Sequence, residues 1–120
     1  MQINQNIFRA YDIRGIASKD LSDEFVTSLG SALSHKIKKL GLKQVVVARD
    51  GRLSGARICS TLIESFLDNG INVKNVGMVP SPLLYFAVEK FNTNNGVMIT
   101  GSHNPKEYNG FKIILGGKTI

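Results

Sequence analysis

The sequence predicts an α/β fold: a three-layer α/β/α domain on a mixed, mostly parallel four-stranded core sheet. Two observations carry this expectation. Short β-branched runs alternate with stretches of helical periodicity, the order that builds βαβ units and a sheet covered on both faces. The last two apolar runs, "NGVMIT" and "GFKIIL", are joined by a segment too short for a crossover helix, so this pair is expected to be antiparallel.

Each element has its own warrant. From Ser22 the chain reads "SDEFVTSLGSALSHKIKKLG", with Phe25, Leu29, Leu33, Ile37 and Leu40 on one helical face. Ser22 is the expected N-cap, and Asp23 and Glu24 stand in the first turn. His35, Lys36, Lys38 and Lys39 crowd the last turn before Gly41, where cations suit a helix end. "KQVVVARD" is a continuous β-branched run, the pattern of a strand buried on both sides. In "GRLSGARICSTLIESFLDNG", Ile58, Leu62 and Phe66, with Ile63 or Leu67, mark a second amphipathic helix ending at Gly70. "INVKNVGMV" is the next strand. "PSPLLYFAVEKF" opens a third helix, with Ser81 as its expected N-cap and Pro82 at the first helical position.

A length of 120 residues suits one domain with a real core. Composition is that of a globular protein, 42% hydrophobic and 20% charged. Fifteen Lys and Arg against nine Asp and Glu leave a formal net charge of +6, which favours anionic partners without choosing among them. The apolar runs are far shorter than a membrane span, and "MQINQNIFRA" lacks the order of a signal peptide, so a cytoplasmic protein without membrane partners is expected. The single cysteine, Cys59, falls on the apolar face of the second helix and reads as a small core residue. After "IILGG" the chain ends at Lys118-Thr119-Ile120 without a closing helix, which suggests a piece of a longer protein.

Ligands of open α/β sheets gather at the carboxyl ends of the strands. Three loops are expected there, "ARDGRLSG", "VPSP" and "TGSHNPKEYNG", and an N-terminal segment, "FRAYDIRG", adds Arg and Tyr. In the third loop Ser102 stands among glycines, a proline and lysines. Gly101 allows close backbone approach to a ligand, Pro105 stiffens the chain, and Lys106 and Lys112 offer charge to a phosphoryl group. There is no "GxxxxGK[ST]" and no "GxSxG", which argues against a P-loop nucleotide site and against a serine hydrolase.

"TGSHNP" from Thr100 to Pro105, followed by "YNGFK" from Tyr108 to Lys112, closely resembles the phosphoserine loop of the α-D-phosphohexomutases. "FRAYDIRG" from Phe8 to Gly15 and "ARDGRLSG" resemble two further motifs of that family, in the same order. The spelling is similar to the phosphomannomutase/phosphoglucomutase branch, since phosphoglucosamine mutases typically carry Ala where Gly101 stands. Ser81 departs from the family's usual threonine in "PTP", with little consequence expected, because serine also caps helices.

The resemblance implies that residues 1–120 are the phosphoserine-bearing domain I of a longer, four-domain enzyme. That enzyme interconverts hexose 1-phosphates and hexose 6-phosphates of mannose or glucose. Ser102 would carry the phosphoryl group and pass it to the sugar, making a hexose 1,6-bisphosphate that serves as intermediate and activator. Mg²⁺ would meet Ser102 through its phosphate, while its aspartate ligands lie in a second domain whose "DGDGDR"-like motif this sequence lacks. The isolated chain is expected to be inactive, its partners being the phosphorylated hexose and the remaining domains. By match to the motifs, Arg14 and Lys112 become active-site cations, with Lys112 near the proton transfer and both in reach of substrate. Tyr11 becomes a sugar contact. His103 is a candidate for catalysis, although adjacency to Ser102 is not a triad and a loop-shaping role is favoured. Arg9, Asp50 and Arg52 read as structural residues that fix loops by paired hydrogen bonds.

The alternative is a free-standing basic α/β module binding phosphorylated ligands or nucleic acid. With no Trp and no interleaved aromatic-basic stripe, the sequence is poor in stacking platforms, and no nucleic-acid partner is expected.

Overall fold

The computed structural model describes residues 13–101 and 104–119, so the expectations for Arg9, Tyr11, Ser102 and His103 lie outside the described residues. The elements in chain order are β1 (Ile13–Ile16), α1 (Asp23–Lys39), β2 (Gln44–Arg49), α2 (Gly55–Asp68), β3 (Asn72–Met78), α3 (Ser81–Lys90), β4 (Gly96–Ile99), β5 (Tyr108–Leu115) and β6 (Lys118–Thr119). They form one mixed sheet in the order β1-β5-β4-β2-β3, with β6 paired to β5.

The four expected strands take the expected relations. β2 runs parallel to both β3 and β4, and β5 is antiparallel to β4. Two more strands enlarge the sheet to six. β1 pairs antiparallel with the first half of β5, matching Ile13 with Phe111 and Ile16 with Tyr108. β6 closes a hairpin on the far end of β5. Its turn is Gly116-Gly117, both at positive φ (60° and 83°), the backbone a two-residue hairpin requires. With these additions antiparallel pairings outnumber parallel ones, so "mostly parallel" holds for the four expected strands and not for the whole sheet.

Strand alternation explains the continuous apolar text of β2. Val45 and Val47 join a core with α1 and α2, alongside Ile58, Leu62, Phe66, Phe111 and Ile113. Val46 and Ala48 point the other way, into a smaller core with Leu84, Ala87, Val88, Met98 and Ile114 under α3. Helices therefore lie on both faces, two against one. Burying each of these side chains larger than alanine is worth about 1.5–3 kcal/mol.

The helix ends are mostly as read. Ser22 caps α1 by accepting a hydrogen bond from the Phe25 N–H at 3.1 Å. Leu40, expected on the apolar face, lies past the helix and is 52% exposed. On α2, Ile63 and not Leu67 packs toward the core. The cap of α3 moves by one residue. Ser81 is already helical, and Pro80 takes the N-cap position with extended backbone and no side-chain cap. Two consecutive constraints produce this: Pro82 tolerates the first turn because it has no N–H to satisfy, and Pro80 supplies the carbonyl that the Leu83 N–H meets at 3.0 Å.

Candidate active site

β2 and β4 are neighbours and run the same way, so the loops that follow them leave the sheet together. The Asp50 N–H donates to the Ile99 carbonyl at 3.0 Å, which ties the two exits side by side. The first loop, Asp50–Ser54, then turns three alternate side chains onto the second.

Asp50 holds the start of the serine loop. Its Oδ2 accepts from the Thr100 hydroxyl at 2.7 Å and from the Gly101 N–H at 3.2 Å, while Oδ1 accepts from the Arg52 N–H at 3.1 Å. Arg52 holds the far end. One terminal nitrogen donates to the carbonyls of Pro105 (2.6 Å) and Tyr108 (3.1 Å), and the other to the Asn104 carbonyl (2.8 Å). Its Nε lies 3.4 Å from Asp50 Oδ2, so the two gripping groups are themselves paired. Ser54 completes the set, its Oγ accepting from Nδ2 of the fully buried Asn109 at 2.9 Å. Hydrogen bonds to charged groups contribute about 1.5–3 kcal/mol each, so this is a firm attachment.

The loop also closes on itself. The Asn104 N–H and its side-chain Nδ2 both donate to the Gly101 carbonyl at 3.0 Å, bringing together the residues on either side of Ser102 and His103. Gly101 is small for a reason the sequence did not disclose. A Cβ there would overlap the Arg52 guanidinium, so the close approach it permits in this structure is that of Arg52.

Arg14 and Lys112 are brought onto one surface. On β5, Phe111 and Ile113 face α1 and α2, whereas Ile114 faces α3; Lys112 therefore lies on the α3 side. Arg14 pairs directly with Gly110 and shares that side. Ordinary sheet geometry separates such diagonal neighbours by about 7–8 Å. Gly110 makes the approach possible, since a Cβ there would run into the Ile13 carbonyl oxygen and crowd the Arg14 side chain. α3 packs mainly over β2 and β4 on this face. The Thr100 N–H donates to the Gly110 carbonyl at 2.9 Å, so the serine loop begins beside both cations.

Lys106 lies on the other face: with Glu107 it lines a groove of about 760 Å³ on the α2 side, together with Arg57 and with Asp50, Arg52 and Ser54 of the first loop. Arg57 is occupied there, donating to Asp23 at 2.7 Å and to the carbonyls of Leu21 and Ala17. Arg14 and Lys112 share the opposite, α3 face of the sheet. Cys59 is buried in the core on the α1 and α2 side, and burial pushes its thiol pKa up, only partly offset by Arg49.

Sequence reasoning gave no role to Ser54, Thr100 or Asn109. The available signal was the spacing of polar groups at 50, 52 and 54, alternate positions in a chain leaving a strand.

Fold and site together define an α/β/α domain that presents a tightly held serine loop beside two cations. A family model described as phosphoglucomutase/phosphomannomutase, alpha/beta/alpha domain I, matches residues 5–120, and the chain belongs to that family. It is 51% identical over 118 residues to a phosphoglucomutase of Neisseria meningitidis serogroup B, covering 98% of this chain and 26% of that protein. It is 49% identical over 115 residues to a phosphomannomutase/phosphoglucomutase of Pseudomonas putida, covering 96% and 25%. A crystal structure of a phosphoglucomutase/phosphomannomutase family protein from Burkholderia thailandensis superposes with a TM-score of 0.89 at 42% identity, over 97% of this chain and 27% of that one. The chain thus spans about a quarter of the length of these relatives.

Proposed function

We propose that this chain is the phosphoserine-bearing first domain of a phosphohexomutase that interconverts hexose 1-phosphates and hexose 6-phosphates of glucose or mannose. The observation that carries the reading is the intact "TGSHNPKEYNGFK" loop, gripped at both ends by Asp50 and Arg52 and opening beside Arg14 and Lys112. In the first step the bond between phosphorus and Ser102 Oγ breaks and a bond to a sugar hydroxyl oxygen forms. The hydroxyl proton passes, in net terms, to Ser102 Oγ. The resulting hexose 1,6-bisphosphate returns its other phosphate to Ser102 by the reverse exchange. Phosphoryl transfer depends on positioning and on stabilising charge, and Arg14 and Lys112 supply positive charge, with Lys112 near the path of the proton. Tyr11 is assigned to the sugar and His103 to the serine's immediate environment.

Mg²⁺ is part of the same proposal, with a limit set by the residues at hand. Among the described residues no group of three His, Cys, Asp or Glu side chains is placed to hold a metal ion. Asp50, the carboxylate that touches the start of the serine loop, is turned onto Thr100 and Gly101. The described residues therefore do not form a Mg²⁺ site, and the phosphate on Ser102 is the ligand this chain contributes. The remaining ligands and the contacts that choose mannose or glucose belong, under this proposal, to further domains of a cytoplasmic enzyme. Among the described residues no helix is long and apolar enough to cross a membrane.

The test is direct. After incubation of the complete polypeptide with glucose 1,6-bisphosphate, mass spectrometry is expected to place a phosphoryl group (about 80 daltons) on the peptide containing Ser102. Full mutase activity in Ser102→Ala would refute the reading.

A further inference from the structure

Asp50 and Arg52 act on opposite ends of the two-residue segment that bears Ser102. Asp50 takes the upstream side, Thr100 and Gly101, and Arg52 takes the downstream side, Asn104, Pro105 and Tyr108. The two grips are joined by the Arg52 N–H to Asp50 Oδ1 bond at 3.1 Å and by the ion pair at 3.4 Å. Both side chains are largely shielded, with 15% of Arg52 and 24% of Asp50 accessible. The guanidinium also lies against Gly101, where no side chain intervenes. The residues flanking Ser102 and His103 are thus held by the β2–α2 connection as well as by their own strands.

We propose that Arg52, oriented by Asp50, is a positioning residue for phosphoryl transfer, setting the reach of Ser102 toward donor and acceptor oxygens. This rests on Ser102 being the phosphoryl carrier. The fork matters more than the charge. Three carbonyls arranged around a planar guanidinium need donors fixed in one plane, which lysine's single ammonium cannot provide. The pairing serves a second purpose. Asp50 is bound to Thr100 and Gly101, the two residues before a serine that carries about −1.5 to −2 charge when phosphorylated, and Arg52, paired with it, offsets the repulsion it would otherwise exert. A misplacement of about 1 Å at a reacting atom can cost about a hundredfold in rate. A loosened serine is thus expected to lower turnover while leaving sugar binding, made by other groups, nearly intact.

The experiment compares Arg52→Lys, Arg52→Ala, Asp50→Asn and Ser102→Ala in the complete polypeptide. It measures kcat, KM, thermal midpoint and the mass of the Ser102 peptide. Arg52→Lys is expected to lose about tenfold to a hundredfold in kcat with KM changed less than about threefold, consistent with an interaction made through positioning. Added guanidinium ion is expected to restore part of the Arg52→Ala activity and none of the Arg52→Lys loss. If Arg52→Ala does not fold, Asp50→Asn, which keeps an oxygen acceptor, carries the same expectation in milder form. A folded Arg52→Lys enzyme with kcat within twofold of the parent would overturn the proposal, as would a change confined to KM. An active Ser102→Ala enzyme would instead overturn the phosphoserine reading, so the two failures are told apart.

Discussion

Gly110→Ala is expected to detach β1 and, with it, one of the two cations of the site. Gly110 does not have the positive φ that favours glycine; its requirement is space. The atom a new Cβ would meet is the Ile13 carbonyl oxygen, part of the backbone of the neighbouring strand, which cannot swing aside as a side chain would. Relief comes by moving β1 off β5. Four residue pairs hold that strand, and the Ala17 N–H adds a bond to the Glu107 carbonyl at 2.8 Å. With a net of about 0.5–1.5 kcal/mol for each of a few hydrogen bonds, the loss is about 2–4 kcal/mol. For a domain of this size that corresponds to a fall in melting temperature of roughly 8–16 °C. Amide exchange supplies the local readout. Protection at Gly15, Ile16 and Ala17 is expected to fall well before that of Val46 and Val47, which lie in the centre of the sheet. Arg14 leaves with the strand, so mutase activity of the complete polypeptide should drop further than stability alone explains. Unchanged exchange at residues 15–17, with a melting temperature within about 2 °C of the parent, would refute the reasoning, since it would mean that the overlap is relieved without moving the strand.

Two further predictions follow from the placement of charge. Lys112→Met and Arg14→Met should each lower kcat by about tenfold to a hundredfold, the equivalent of one charged hydrogen bond, with little change in melting. Lys39→Met, at the end of α1, is the control, and equal effects from all three would show that the β5 face is ordinary surface. Cys59 gives a dependence on alkaline pH. Its folded thiol pKa is raised by burial, so the unfolded chain releases the proton first. The associated stability is present below the ordinary thiol range and is lost as pH climbs through it toward the folded value. Cys59→Ala should flatten that part of the stability–pH curve, and a parent curve with no alkaline slope beyond that of the variant would count against the buried-thiol account.

Much of the fold was legible because its signals are local. The 3.6-residue spacing of Phe25, Leu33 and Ile37, the Ser22 cap and the double-faced run Val45–Ala48 each state their own structure. β1 escaped notice because "IRGI" has no pattern of its own. It becomes a strand through pairing with residues nearly a hundred positions later, where Gly110 leaves room for it. β6 is too short to show alternation, although Gly116-Gly117 was a readable hairpin turn. The shifted start of α3 reflects a competition between two prolines and a serine that propensity does not resolve.

The sequence by itself determined the chemistry on offer: a serine in a distinctive loop, two cations in recognisable motifs, and Asp50 and Arg52 as loop-fixing residues. Those motifs were informative because each encodes a local backbone shape together with its reactive group. Only the tertiary structure decided which groups meet. Strand alternation sent Lys112 to the α3 face with Arg14, while Lys106, six residues earlier, went to the α2 side. The parallel pairing of β2 with β4 set two loops fifty residues apart against each other, so that Asp50, Arg52 and Ser54 became the mount of the serine loop. Such contacts depend on register and crossing between distant strands, and no local stretch of sequence carries that information.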